Sequence, residues 1–488
     1  MVLKKCLQID NNNQDALRSL GLIYRDLHKL EEAIQVLKKY LNTNPNNTSI
    51  LNIIGLIQLE KGSPDCALKS LNKSLNIDPG NSNTLQLLGE TFIELELPSQ
   101  ALTVTQKSYE LNPNDASTCC TLAKANARVG NIKKSKEFFH KSLDIDPYFA
   151  QSACGLCENI NTRNEASKLL QALKSIQKKN TSKVQAPILE LAASNCYHKL
   201  ANYPKAQLHL EKSNQSRYSK DKSEYSKITS EIEYFLSRKE DSNNNNQPGR
   251  NFVFIIGMPR SGSTLLEAML GTNDLIKTVG EPNAMEKTVY ETISNEHKPT
   301  DIAELYAQKL GLNPQENRLT VDKQLYNFRY AGFIASHLSS SKLIHMRRNP
   351  LDNILSIYRS GLRTTYTSNI EEAAKVMILQ ERAMTEYKKT HPNKIYTLSY
   401  ENLVISAKET LSALIEWLGL KWDESYLHPE RNKTPISTAS LYQARKPINK
   451  SAVNRWKHYA PMLEPARALF KDSKLFNDFD LDIHNSSE

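Results

Sequence analysis

No stretch of this 488-residue chain stays apolar for anything near the about 20 residues that a membrane-spanning helix needs, and the opening MVLKKCLQID lacks the apolar core of a secretory leader. These absences predict a cytoplasmic protein with no membrane span. Cysteine is equally sparse: seven are scattered along the chain, and Cys154 and Cys157 form a lone C-x-x-C pair without a second pair or a histidine at zinc spacing. The pattern reads as buried small residues in a reducing compartment, with no metal site. A basic tract is missing as well. The formal net charge is +10, but the lysines are dispersed, so the excess suits a donor carrying several phosphates or an acidic acceptor better than nucleic acid.

What is present begins with a repeat. Gly21, Gly55, Gly89 and Ala123 are spaced 34 apart, as are Ala33, Ala67, Ala101 and Ser135, and again Pro45, Pro79, Pro113 and Pro147. Leu37, Leu71, Thr105 and Phe139 fill the larger packing position. Small residues let two helices touch, and proline ends the second of them. The period and its contents resemble the tetratricopeptide repeat over residues 14–147. Leu7, one period before Leu41, suggests that the chain opens inside the second helix of an incomplete unit.

From Tyr148 to Thr181 the register lapses, although EASKLLQALKSIQKK reads as an amphipathic helix. It returns near Ala206, which lies five periods plus three residues beyond Ala33 (206 − 33 = 173), giving five to six units in a curved array. Such an array offers a groove for a peptide or partner protein, or serves as a spacer or dimerisation element; both readings stand. Lys220 to Leu236 reads as a closing helix, and SNNNNQPG at 242–249 cannot continue one. The domains expected are therefore a helical array over 1–240, a linker over 241–250, and a second domain over 251–488.

That second domain opens on FVFIIGMPRSGSTLLEAML, residues 252–270. Phe252–Ile256 is a short bulky apolar run suited to a parallel strand buried on both faces. Gly257, Gly262, Ser263 and Thr264 then form the skeleton of a phosphate-binding loop, with Ser263 where a Walker lysine would stand. The fixed charge inside the loop is Arg260, whose fork matches planar arrays of oxygens. A lysine-free loop argues against an ordinary NTPase, and a nucleotide kinase remains the weaker alternative. LTV before Asp322 and KLIHM before Arg347 predict further strands. Behind the latter, Asn349 can cap a helix that Pro350 begins, so Arg347 and Arg348 mark a second anion site.

GMPRSGSTLLE, VGEP, VDK, IHMRRNPLDNILSIYRS, LSYENL, WLGLKWD and KPINKSAVNRWKHY, in that order over 252–462, resemble sulfotransferases that use 3′-phosphoadenosine 5′-phosphosulfate. The group they look most like is the bacterial tetratricopeptide-repeat sulfotransferases, similar in this domain to protein-tyrosine sulfotransferases. The expected architecture is thus an N-terminal α-solenoid of tetratricopeptide repeats followed by a phosphate-loop-like α/β domain with a parallel central sheet.

The resemblance implies a site as well. Arg260, Ser261, Gly262, Ser263 and Thr264 would hold the 5′-phosphosulfate, Arg348 and Ser356 the 3′-phosphate, and Tyr400 and Lys446 would also touch the donor. Arg359 falls one residue off a third family contact. Glu281, 21 residues after Arg260, matches the general base, and Lys323 the lysine that offsets charge on the leaving phosphate. Gln324 and Leu325 depart from the family's usual methionine and proline, and either Ser437 or Ser440 would complete the site. His345 and Trp456 read as structural. The implied reaction moves a sulfuryl group to a hydroxyl without a metal. A protein or peptide tyrosine fits the motifs, while glycan, lipid and small-molecule acceptors stay open, as does a non-catalytic nucleotide-binding scaffold.

Overall fold

The 34-residue period fixes where the helices begin. In the computed structural model, which describes residues 2–179, 185–218, 223–238, 250–294, 301–313, 315–362, 364–432 and 441–482, first helices run Gln14–Asp26, Thr48–Glu60, Ser82–Glu94 and Ala116–Val129. Their partners are Leu30–Thr43, Pro64–Ile77, Pro98–Leu111 and Ile132–Ile145, so both series step by 34. Each first helix is capped alike: the side chains of Asn13, Asn47, Asn81 and Asp115 accept from the backbone N–H three residues on. A Cβ on Gly21 or Gly55 would lie 2.6 or 2.7 Å from Leu37 or Leu71, the close approach that the small-residue column requires.

A second column, of hydroxyls, gives no signal in the periodic positions above. Ser74 Oγ lies 3.0 Å from Thr84 Oγ1, Ser108 Oγ 3.2 Å from Thr118 Oγ1, and Ser142 Oγ 2.7 Å from Ser152 Oγ. Ser108 and Ser142 also donate to the carbonyls of Ser82 and Ala116, 26 residues back. These hydroxyls are buried and bond one another and the backbone, so the stacking is held by polar clips as well as apolar contact.

Packing divides the chain into two units, one of Met1–Leu156 with Lys174–Lys179, the other including Cys157–Leu173, Asn180–Thr434 and Thr438–Glu488. The helices Ala186–Lys199 and Tyr203–Tyr218 form another repeat-like pair, with Ser213 Oγ on the Pro187 carbonyl at 2.7 Å, again 26 residues back. Ser213 lies two periods plus three beyond Ser142 (213 − 142 = 71), the same three-residue offset counted at Ala206. This pair and the Ser223–Ser237 helix precede the break in composition at 241–250, yet they pack with the second unit. Residues 239–249 lie outside the described residues.

The second unit is built on five parallel strands: β1 (Phe252–Gly257), β2 (Ile276–Thr278), β3 (Leu319–Asp322), β4 (Lys342–Arg347) and β5 (Ile395–Ser399), in the order β2-β3-β1-β4-β5. Central β1 is buried on both faces. Phe252, Phe254 and Ile256 join a core that contains Leu210, Ile228, Ile232 and Phe235 from the preceding helices; Val253 and Ile255 face Leu266, Met269 and Leu414. Asn214 donates to the Tyr358 carbonyl at 2.9 Å, and Glu231 pairs with Arg329 where both are nearly buried.

Candidate active site

The chain leaves β1 toward β2 and β3 on one side and reaches β4 and β5 on the other. A crevice opens at that switch between β1 and β4, at the carboxyl ends of the strands. The segments leaving β1 and β4 therefore converge.

After β1 the loop closes tightly. Gly262 caps the Ser263–Leu270 helix at φ +101°, and a Cβ there would lie 2.4 Å from the Tyr400 ring. Arg260 is itself left-handed at φ +67°, a strained backbone for a residue with a Cβ. Two neighbours from beyond β4 hold it: Asn353 Nδ2 donates to the Pro259 carbonyl at 2.7 Å, and Arg348 Nη1 to the Arg260 carbonyl at 3.0 Å. Arg260 reaches Ser356 Oγ at 3.3 Å and Gln443 Oε1 at 2.8 Å. Ser261, Ser263 and Thr264 are buried, and Ser261 Oγ has no hydrogen-bond partner among the described residues.

β4 delivers two arginines to different places. Arg347 turns to Glu381 and Asp478. Arg348 lies over the Tyr400 ring, 4.6 Å from its centre, donates to the Ala452 carbonyl, and leaves its buried Nε unpartnered among the described residues. Asp352, in the first turn of the next helix, accepts from the backbone N–H groups of Asn454 and Trp456 at 2.6 and 2.8 Å, which fastens the segment around Asn454 to that helix. His345 is buried against Gln380, and burial holds its pKa down at about 3, a neutral ring.

The result is a cavity of about 470 Å³. Arg260, Arg348, Arg359, Arg455, Lys446 and Lys199 line it, against Glu158 and Asp352. Ser356, Tyr400, Gly262 and Thr264 line it too. Burial draws the Arg260 guanidinium down to about 10, with Arg348 next in effect, and burial does the same to Arg359. So many cations with so little compensation favour a polyanion.

Glu281 and Lys323 meet at a second place. β2 and β3 are paired, with Thr278 opposite Val321, so the residues just beyond them come together: Lys323 N donates to the Gly280 carbonyl at 2.8 Å. The Lys323 ammonium is wholly buried, bonded to Glu281 Oε1 and 3.6 Å from Glu267 Oε2. Glu267 Oε1 accepts from Gly280 N at 3.2 Å, which ties the Glu281 turn to the helix after the loop. Burial raises the Glu267 pKa, with Lys323 opposing. Neither Glu281 nor Lys323 lines the large cavity.

Gln324, where the resemblance leads one to expect methionine, donates to the Glu281 carbonyl at 3.3 Å and to Asn283 Oδ1 at 3.2 Å, so it braces the same turn. Ser437 and Ser440 lie outside the described residues. Sequence reasoning did not single out Glu267, Arg455 or Asp352's contacts. Glu267 carried a signal, being a carboxylate one helical turn past Ser263; Asp352 was read only for its helix position.

Behind Lys323, Asp322 is fully buried and accepts from Tyr306 OH, Gln324 N and Asn327 Nδ2. Burial outweighs those donors and pushes it up to about 7. A carboxyl raised in the folded state stabilises fully below its unfolded pKa of about 3.9, and that contribution is lost as pH rises to about 7. The stability of Asp322→Asn relative to wild type should therefore climb between pH 4 and 7 and level off above, as read by urea unfolding; a difference independent of pH would refute it.

A phosphate loop at a parallel-sheet switch point, closed by an arginine in place of lysine and by a second arginine from β4, defines an anion-binding α/β domain of the phosphate-loop kind. Residues 253–424 match the sulfotransferase family, and residues 15–47 and 116–149 match the tetratricopeptide repeat. An uncharacterized protein of Aquifex aeolicus is 28% identical over 249 residues, 46% of this chain and 33% of that one. Protein-tyrosine sulfotransferase 2 of Gallus gallus is 21% identical over 239 residues, 43% of this chain and 64% of its own. The solved sulfotransferase domain of the Synechococcus PCC 7002 olefin synthase aligns at 20% identity and TM-score 0.37, covering 50% of this chain and all of that domain. The curated relatives are thus matched over a third to just under two thirds of their lengths. Among the described residues no helix is long and apolar enough to cross a membrane, and no cluster of His, Cys, Asp and Glu is placed to hold a metal ion.

Proposed function

We propose that this chain transfers a sulfuryl group from 3′-phosphoadenosine 5′-phosphosulfate to a hydroxyl. The observation that carries this is the cation-rich cavity joining the Arg260 loop to Arg348, in a loop that lacks the lysine of NTPases. The unpartnered buried Ser261 Oγ and Arg348 Nε fit a phosphorylated donor. The loop N–H groups of Gly262, Ser263 and Thr264, with Arg260, take the 5′-phosphosulfate. Arg348 and Ser356 take the 3′-phosphate, and Tyr400 and Lys446 flank the donor.

Glu281 accepts the acceptor's proton as its oxygen attacks sulfur, and the bond from sulfur to the 5′-phosphate oxygen breaks. Lys323 and the loop offset the negative charge left on that phosphate. The ion pair with Lys323 holds the Glu281 carboxylate in place. The acceptor class is a protein or peptide hydroxyl, a reading drawn from the tyrosine sulfotransferase relatives and the repeats.

Calorimetric titration with adenosine 3′,5′-bisphosphate and, separately, magnesium ATP tests the donor. Wild type should prefer the bisphosphate, and Arg348→Ala should weaken it at least about tenfold by removing a charged hydrogen-bonding partner. Preference for ATP, or an Arg348→Ala variant that binds like wild type, would overturn the donor assignment.

A further inference from the structure

The nucleotide cavity has a wall that the sulfotransferase match does not include. That match begins at residue 253, whereas Leu191, Asn195, His198 and Lys199 of the Ala186–Lys199 helix line the cavity directly. The repeat matches end at residue 149, so neither family match covers this helix. Its contacts converge on one cation. Asn195 Oδ1 accepts from Arg359 Nη2 at 3.3 Å, and the Arg359 guanidinium sits 5.8 Å from the centre of the Tyr459 ring. His198 Nδ1 in turn bonds Tyr459 OH at 2.9 Å, while Tyr203 stacks on His458 at 4.1 Å.

Arg359 ends the Pro350–Tyr358 helix three residues beyond Ser356, and its buried Nε has no hydrogen-bond partner among the described residues. No carboxylate pairs with it among the described residues; the polar side chain that reaches it is a neutral amide. An amide orients a guanidinium without cancelling its charge, which leaves the fork available to an anion. Arg348, Arg359 and Arg455 all line the cavity, which neither Glu281 nor Lys323 does.

We propose that the Ala186–Lys199 helix is part of the nucleotide site, and that Asn195 is a positioning residue that aims Arg359 at the ribose 3′-phosphate and so separates 3′-phosphorylated nucleotides from those without that group. This rests on the donor reading above. The helix that belongs to the repeats by sequence acts here as a specificity element for the transferase domain. Its consequence is a discrimination term: Asn195 matters to a nucleotide with a 3′-phosphate and is silent toward one without.

The test compares adenosine 3′,5′-bisphosphate with adenosine 5′-monophosphate by calorimetry on the full chain, for wild type, Asn195→Ala and Asn195→Asp. Asn195→Ala should weaken the bisphosphate about tenfold, the scale of losing one hydrogen bond to a charged group, and leave the monophosphate unchanged. Asn195→Asp keeps the shape but puts a carboxylate on Arg359, so it should weaken the bisphosphate more than Asn195→Ala does. It carries the test if the alanine variant melts early. Equal losses for both nucleotides, or no loss for either, would overturn the role of Asn195 while the donor reading stands. A wild type that fails to prefer the bisphosphate overturns the donor reading and this proposal together.

Discussion

Lys323→Met should lower sulfuryl transfer about 10³-fold or more while adenosine 3′,5′-bisphosphate still binds. The ammonium is wholly buried beside Glu281 and Glu267 and does not line the cation-rich cavity, so in the proposed reaction its loss falls on the reacting end. Two effects compound. The charge that offsets the departing phosphate disappears, a loss of about 10² to 10³ by analogy with removing one electrostatic donor. The two carboxylates are then left facing one another without a cation, so the place where the base must act loses the partner that holds Glu281. Rate and affinity must be measured on the same preparation, with labelled donor and an acceptor found by screening. A variant that keeps a tenth of wild-type turnover, or whose deficit is explained by weaker bisphosphate binding, would remove Lys323 from the chemistry.

The second large effect concerns where the transferase domain begins. A fragment of residues 251–488 should fail to fold, whereas 150–488 should melt cooperatively. The shorter fragment lacks Leu210, Ile228, Ile232 and Phe235, which are buried in the same core as Phe252, Phe254 and Ile256. Exposing that apolar surface costs on the order of 6–12 kcal/mol, comparable with the whole stability of a typical domain. It also strands Arg329, nearly buried and paired with Glu231, and the Tyr358 carbonyl that Asn214 caps. Thermal melts tracked by circular dichroism decide the matter. A cooperative transition for 251–488 near that of 150–488 would mean that these helices are accessory to the core.

The repeats were legible because their physics is local. A helix pair needs a small residue at the contact, a cap at the start and a breaker at the end, and each recurs every 34 positions. Even the three-residue slip before Ala206 could be counted, and Ser213 on the Pro187 carbonyl reproduces it in space. The loop after β1 and the strands before Asp322 and Arg347 were legible for a similar reason, as short apolar runs ending in glycine or charge. Short β2 gave too little pattern, and β5, with Tyr396, Thr397 and Ser399 among its five residues, gave a mixed one.

The candidate site was legible as a list of residues to look for but not as a geometry. Arg260, Arg348, Ser356, Tyr400 and Lys446 all come to one cavity, and Glu281 meets Lys323, because parallel pairing brings the ends of neighbouring strands together. Nothing in the linear order announces that Glu267 ties Gly280 to Lys323, since its partners lie 13 and 56 residues away. The Ala186–Lys199 helix was invisible as a wall of the cavity because its pattern speaks of repeat packing. The composition break at 241–250 marks a change of periodicity, whereas packing tracks buried surface.

The hydroxyl clips have a consequence for how such an array can change length. Ser74, Ser108 and Ser142 each meet a partner ten residues on, across the junction to the next unit, and each such pair is buried. Duplicating or deleting a whole unit re-forms every junction with its donors and acceptors matched. Gaining or losing a fraction of a unit would leave two hydroxyls facing apolar neighbours, at about 1–3 kcal/mol for each orphaned group. Growth by recombination is therefore quantised where the clips run, from Ser74 to Ser152: that part of the array can lengthen or shorten by whole units, and the three-residue slip falls beyond it.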